Sequence, residues 1–380
     1  MDNKKKNSRR KIVAFMNSFS HGSSGSDIVC VEIVKRLIGY KKLVITSKLG
    51  VQLAKKNKLD ASFLVTTREK AFRFIIPTYL IRIVKAIFLK IQLEEGDVLL
   101  GSSDFPTDVI PIFLLKIKNR KVLWIQHIHH LIPKDRKLPY LAQRISFQLI
   151  KRFADVVVVV NSQLGKNLQE MGFRGNKINV NHNGSRLEVI KKVDQDKKGK
   201  YDGVFMARLK KHKGIFDLIE IWEKVVEKIP SAKLGIIGKG NPGTTKELQR
   251  LLSEKNITDK VEILGFLSNT KAFNTIKSSK VFLFPSHEEG FGLVGVESQA
   301  LGTPVVAWNL PAFMDSFPKG MVKIPFGNHT QFSDEVVKLL KNENYYKKLQ
   351  KEAFENASSF SWENTASREL GYINEFYEGK

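Results

Sequence analysis

The stretch that decides the fold reads Pro285-Ser286-His287-Glu288-Glu289-Gly290-Phe291-Gly292-Leu293-Val294-Gly295-Val296-Glu297-Ser298-Gln299-Ala300-Leu301-Gly302-Thr303-Pro304-Val305-Val306. The apolar run Val281 to Phe284 precedes it and is long enough only for a buried strand, and a second such run, Val305 to Trp308, closes it. Between them Leu293, Val296, Ala300 and Leu301 recur at helical spacing. Strand, glycine-rich loop, helix and strand make one turn of a parallel α/β sheet.

In open sheets of this kind ligands bind beyond the carboxyl ends of the strands. Gly290 and Gly292 allow a close backbone approach there, and the helix starting near Gly292 directs unpaired N–H groups at the loop, as a phosphate requires. Glu289 stands in the loop and Glu297 two turns into the helix. Taken alone, the spacing fits two ligand-facing carboxylates or two solvated ones equally well. The string closely resembles the Glu-x7-Glu signature of the family 4 retaining glycosyltransferases, with Glu289 and Glu297 at the motif positions and Ala300, Gly302, Pro304, Val305 and Val306 matching behind them. The resemblance implies the GT-B fold: α/β, two Rossmann-like domains facing a central cleft.

Composition is compatible with two domains. The chain has 380 residues, 42% of them hydrophobic. Its single cysteine, Cys30, excludes an internal disulfide and suits a reducing cytosol. No apolar run approaches the roughly 18 residues of a spanning helix. The N-terminal cluster Lys4 to Lys11 followed by Ile12 to Met16 imitates a signal peptide, but the apolar part is short, and a basic tail before the first strand is expected. Of the net charge of +25, residues 1–200 carry +23 and residues 201–380 carry +2. So uneven a basic surface implies an anionic partner.

Along the first half, Lys11–Asn17, Leu43–Thr46, Ala61–Val65, Asp97–Gly101, Lys121–His129 and Asp155–Asn161 read as strands. The loop Ser20–Asp27 holds Gly22 and Gly25, which match a glycine-rich donor-side loop of the family. In Phe72–Ile91 basic residues interrupt an apolar helical stretch; it is either a membrane-surface helix or a core helix with snorkelling cations. The fifth strand ends in His127, His129 and His130. Without further ligands these make a poor zinc site. The resemblance implies that His129 reaches the donor sugar, whereas His130 stands where the family has aspartate. Lys191–Lys200 is polar and aperiodic, the expected linker, and its Asp194 and Asp196 read as solvated charge.

In the second half Arg208 and Lys213 follow the strand Val204–Ala207. Two cations at a strand end can offset a leaving diphosphate, the role the resemblance gives them. The strand Lys233–Ile237 runs into Gly238-Lys239-Gly240-Asn241-Pro242-Gly243, a dinucleotide fingerprint weakened by its proline. The family carries Gly-x-Gly here as well, and Phe266 matches the segment lining its nucleotide base.

The expected enzyme is a retaining hexosyltransferase. It moves sugar from a nucleotide diphosphate sugar to a glycan or lipid-linked acceptor in cell-surface polysaccharide or glycolipid synthesis. It should need no metal or other cofactor, bind no nucleic acid, and sit in the cytoplasm against an anionic membrane. By resemblance Glu289, His129, Arg208 and Lys213 act in catalysis. Gly22, Gly25, Gly238, Phe266, Gly290, Phe291, Gly292, Leu293 and Glu297 bind the donor. The expected domains are 1–190 on the acceptor side, 200–360 on the donor side, and a helix over 361–380 that crosses back. The alternatives are an inactive basic protein that binds anionic lipid or nucleic acid, and a nicotinamide enzyme built on Gly238, Gly240 and Gly243.

Overall fold

A computed structural model describes residues 10–18, 25–68, 74–186, 190, 193 and 199–379. Gly22, the basic run 4–9, and Asp194 and Asp196 of the expected linker lie outside the described residues. The chain divides into two compact units, Met1–Gly184 with Trp362–Lys380, and Ser185–Ser361.

The first unit is built on seven parallel strands: β1 (Lys11–Met16), β2 (Lys41–Thr46), β3 (Ser62–Val65), β4 (Val98–Gly101), β5 (Leu123–Ile128), β6 (Val156–Val159) and β7 (Ile178–Val180). Their order is β3-β2-β1-β4-β5-β6-β7. The second holds six: β8 (Gly203–Met206), β9 (Leu234–Ile237), β10 (Val261–Gly265), β11 (Val281–Phe284), β12 (Val305–Trp308) and β13 (Met321–Ile324), in the order β10-β9-β8-β11-β12-β13. All their pairings are parallel. Central strands such as β4, β9, β11 and β12 are buried along their whole length, which is why they read as unbroken apolar runs.

Helices cover the sheets by their apolar faces. The helix Ile215–Lys228 buries Ile215, Leu218, Ile219, Trp222 and Val225, each contributing about 1.5–3 kcal/mol of hydrophobic stabilisation. The last helix, Trp362–Glu378, returns to the first unit. There the Tyr377 hydroxyl donates to Asp97 O at 2.6 Å and accepts from Leu123 N at 2.9 Å. Three edge strands, β7, β10 and β13, are not among those read from the sequence. They are three to five residues long and carry Asn179, Glu262 and Lys323, so none forms an apolar run. The stretch read as helical over Phe72–Ile91 forms a helix over Ile75–Ile87, and residues 72 and 73 are outside the described set. Among the described residues no helix is long and apolar enough to cross a membrane.

In each sheet the order reverses once, at β1/β4 and at β8/β11. Neighbouring strands there send their connections in opposite directions, which leaves a crevice at their carboxyl ends. In the second unit that crevice lies between the loop after β8 and the loop after β11. Gly214 joins the two loops closely. Its φ is +71°, and a Cβ placed there would lie 1.7 Å from Pro285 O. Gly214→Ala should therefore lower the unfolding free energy by more than about 2 kcal/mol, the left-handed cost plus a backbone displacement. Urea unfolding followed through the buried Trp222 and Trp308 measures it. Gly371→Ala, with open space around the new methyl group and a helical backbone, should instead raise the melting temperature slightly.

Candidate active site

The second-unit site is assembled from three loops at the carboxyl ends of β8, β9 and β11. The loop after β8 is tied to that after β9 by a bridge between Leu209 and Gly240 and by Leu209 N donating to Lys239 O at 3.0 Å. Gly238, at φ +146°, lies against Ala207 O, where a Cβ would come within 1.8 Å. His287 N donates to His212 O at 3.0 Å, which fixes the loop after β11 to the loop after β8. Behind this contact His287 and His329 both face Asp217, His329 Nε2 at 3.4 Å.

Within this frame Lys213 Nζ lies 2.6 Å from Glu289 Oε1, which also accepts from the buried Ser286 Oγ at 2.8 Å. A half-buried carboxylate thus faces a half-buried ammonium across the crevice. Arg208 is different. Its side chain is exposed and has no partner among the described residues. The pair is close to neutral, whereas the Arg208 guanidinium on the loop after β8 is unpaired among the described residues. The helix Leu293–Ala300 begins beside the same loop. Its N-cap is Gly292, at φ +85°, with no side-chain cap, so its first N–H groups are left for an acceptor. Phe284, Phe313 and Phe317 crowd Gly292 to within 3.2 Å of a would-be Cβ, leaving room for glycine alone.

Glu297 is buried, and Arg186 grips it through two parallel bonds, Nε to Oε1 at 2.5 Å and Nη2 to Oε2 at 3.0 Å. The Arg186 guanidinium lies 5.0 Å from the ring centre of Phe273. Arg186 is not among the residues picked out from the sequence, since an arginine carries no local signal of a partner 111 positions away. Phe291 is among the residues expected to bind the donor. It is buried, edge-on to Phe360 at 5.5 Å, so only its backbone can face a ligand. Phe266, beyond β10, is 69% exposed.

The first-unit residues are placed by its own sheet. His129 follows β5, and its Nε2 lies 3.0 Å from Ser102 O, beyond β4. Burial first, and the neighbouring His127 ring next, push its pKa down to about 3, so the ring is neutral near pH 7. His127 and His129 share a side, their ring centres 5.9 Å apart. His127 is committed elsewhere, with Nε2 3.1 Å from Glu369 Oε1 on the last helix. Among the described residues no group of three or more His, Cys, Asp or Glu is arranged to hold a metal ion. Gly25 opens the helix Gly25–Arg36 and is exposed.

Compared with known proteins, the whole chain has the two-domain GT-B fold of solved glycosyltransferases. The Anabaena HepE structure in complex with UDP superposes with a TM-score of 0.77 at 17% identity, covering 96% of this chain and 99% of that one. Residues 188–356, nearly all of the second unit, match the family model described as glycosyl transferases group 1. Relatives include an uncharacterized glycosyltransferase of Methanocaldococcus jannaschii, 26% identical over 66% of this chain and 65% of its own length. An O-antigen biosynthesis glycosyltransferase of Escherichia coli is 28% identical over 77% of this chain and 83% of its own.

Two measurements test this geometry. Arg186→Ala leaves the Glu297 carboxylate buried without its partner and should cost about 3 kcal/mol in urea unfolding, with Arg186→Lys in between. The His129 ring protons should show no titration between pH 5 and 8 by NMR.

Proposed function

We propose that the protein is a retaining family 4 glycosyltransferase that moves a hexose from a uridine diphosphate sugar to a glycan or lipid-linked acceptor in cell-surface polysaccharide or glycolipid synthesis. The observation that carries this reading is the Lys213–Glu289 pair in front of an uncapped helix N-terminus, with free Arg208 on the adjoining loop, inside a stretch that matches the group 1 model. UDP in the HepE complex and O-antigen synthesis in the E. coli relative's name support the donor and acceptor classes.

In this reading the diphosphate lies at the Gly292–Leu293 helix start, where the backbone N–H groups and the helix dipole favour an anion. Arg208 and Lys213 offset the charge that grows on the leaving phosphate, and Lys213 exchanges its bond to Glu289 for one to phosphate. Glu289, released, binds the donor sugar, and Glu297 takes the ribose hydroxyls. Gly238 lines the donor and Phe266 lies beside its base, and the family resemblance gives donor-side roles to Gly22, Gly25 and neutral His129. The acceptor attacks on the face from which the diphosphate leaves, and a phosphate oxygen takes the acceptor proton. The protein works in the cytoplasm, peripheral to an anionic membrane.

Arg208→Ala and Lys213→Ala should each remove about 2–4 kcal/mol of transition-state stabilisation from transfer, and Glu297→Ala should raise the donor KM. If all three keep wild-type kcat/KM and UDP affinity, this donor site is wrong. Two protein cations and a helix terminus supply the charge that Mg²⁺ supplies in other enzymes, so transfer should survive exhaustive EDTA treatment. Activity lost with EDTA and restored by Mn²⁺ would refute the metal-free part of the reading.

A further inference from the structure

The helix Ile75–Ile87 is folded inside out. The residues it buries are Arg82 and Ala86. Arg82 is fully buried, its Nη1 donating to Asn17 O at 2.6 Å and its Nε to Thr67 Oγ1 at 3.1 Å. Most of its isoleucines and its leucine face water instead. Ile76 is 58% exposed, Leu80 58%, Val84 51% and Ile87 37%, a stripe at spacings of four, four and three, and Phe88 beyond the helix end is 79% exposed. A globular helix normally orients its apolar stripe the other way.

The pattern recurs close by. The helix Ile75–Ile87 packs against Pro106–Lys118, and that helix packs against Lys137–Phe153, so the three form one layer. On the third, Leu138, Leu141 and Ile145 are 66%, 56% and 51% exposed at spacings of three and four. Ile117 on the middle helix is exposed as well. Among these three helices the only acidic residue is Asp108, which is buried. Lys85, Lys118, Lys137 and Arg152 are exposed on them, and Lys90 and Lys134 just outside.

We propose that the outer side of this three-helix layer is the surface by which the protein docks on an anionic lipid bilayer, Leu80, Val84, Leu141 and Ile145 entering the acyl boundary and the lysines lying at the headgroups. The proposal deepens the membrane part of the reading above and rests on it. Scattered apolar side chains on a surface need no partner, but two parallel stripes do. A second protein would need carboxylates placed opposite each lysine, whereas an anionic headgroup layer supplies negative charge everywhere while accepting the apolar side chains between. No helix of the layer crosses the bilayer, so attachment is interfacial. The stripes on two helices together, with headgroup attraction, give reversible binding that weakens as salt screens the charge.

The test is co-sedimentation of the full chain with phosphatidylcholine vesicles, with and without phosphatidylglycerol. Leu80→Asp/Val84→Asp and Leu141→Asp/Ile145→Asp are compared with Ile38→Asp, an 84% exposed position on none of the three helices. Wild type and Ile38→Asp should sediment with the anionic vesicles at low salt, and each double variant should partition at least about tenfold less. All positions are exposed, and UDP binding checks that the second unit is intact. Wild type remaining soluble with both vesicle types overturns the membrane reading and this surface together. Wild type sedimenting while both double variants do so equally overturns the surface alone. Wild type dimeric by light scattering, with double variants monomeric and lipid binding unchanged, reassigns the layer to self-association and overturns the proposal.

Discussion

Parallel pairing of β8 with β11 is the constraint on which the second-unit site depends. The two strands lie side by side, yet their helices leave on opposite sides of the sheet. The space between the departing loops cannot be filled by either connection. Everything with the chemistry of a binding site is gathered there: a lysine–carboxylate pair, a free guanidinium and an uncapped helix end. Gly214 sets how closely the two loops approach, because any side chain at that position would meet the Pro285 carbonyl.

Charges in this site are arranged in a graded way. Arg186 and Glu297 are bonded through two parallel contacts in a buried setting, where an unpaired carboxylate would be costly. Lys213 and Glu289 are paired across a half-buried crevice, a contact an incoming anion can replace. Arg208 is open to solvent. A ligand would have to displace two parallel bonds at Arg186, one carboxylate contact at Lys213 and no ion pair at Arg208. In the first unit the corresponding reversal point, β1/β4, holds hydrogen-bonded polar groups of another kind. Asp108 accepts from Asn17 N at 2.7 Å and from Ser103 Oγ at 2.7 Å, and burial raises its pKa to about 7.

Arg82 and the stripe it leaves outside illustrate how a buried polar group can redirect a helix. Its guanidinium satisfies the Asn17 carbonyl, beyond the end of β1, and turns most of the isoleucines outward. A pattern of apolar residues at helical spacing specifies a helix and an apolar face. It does not specify which side that face is on when an arginine on the opposite face has a buried acceptor waiting for it.

The sequence alone determined the α/β class, the run of parallel strands, and the strand–loop–helix unit around Gly290 and Gly292, because buried central strands must be apolar along their length and the helix must keep its stripe. It also brought out Glu289, Glu297, Arg208 and Lys213 through their positions next to strand ends and their family resemblance. Only tertiary structure decided that Lys213 meets Glu289, that Glu297 is held by Arg186, and that the Phe291 side chain turns into the core against Phe360. Those contacts join residues separated by 76, 111 and 69 positions, and local periodicity carries no information over such distances. The short strands β7, β10 and β13 were decided there too, since an edge strand of three to five residues owes its pairing to the neighbouring strand and not to its own composition.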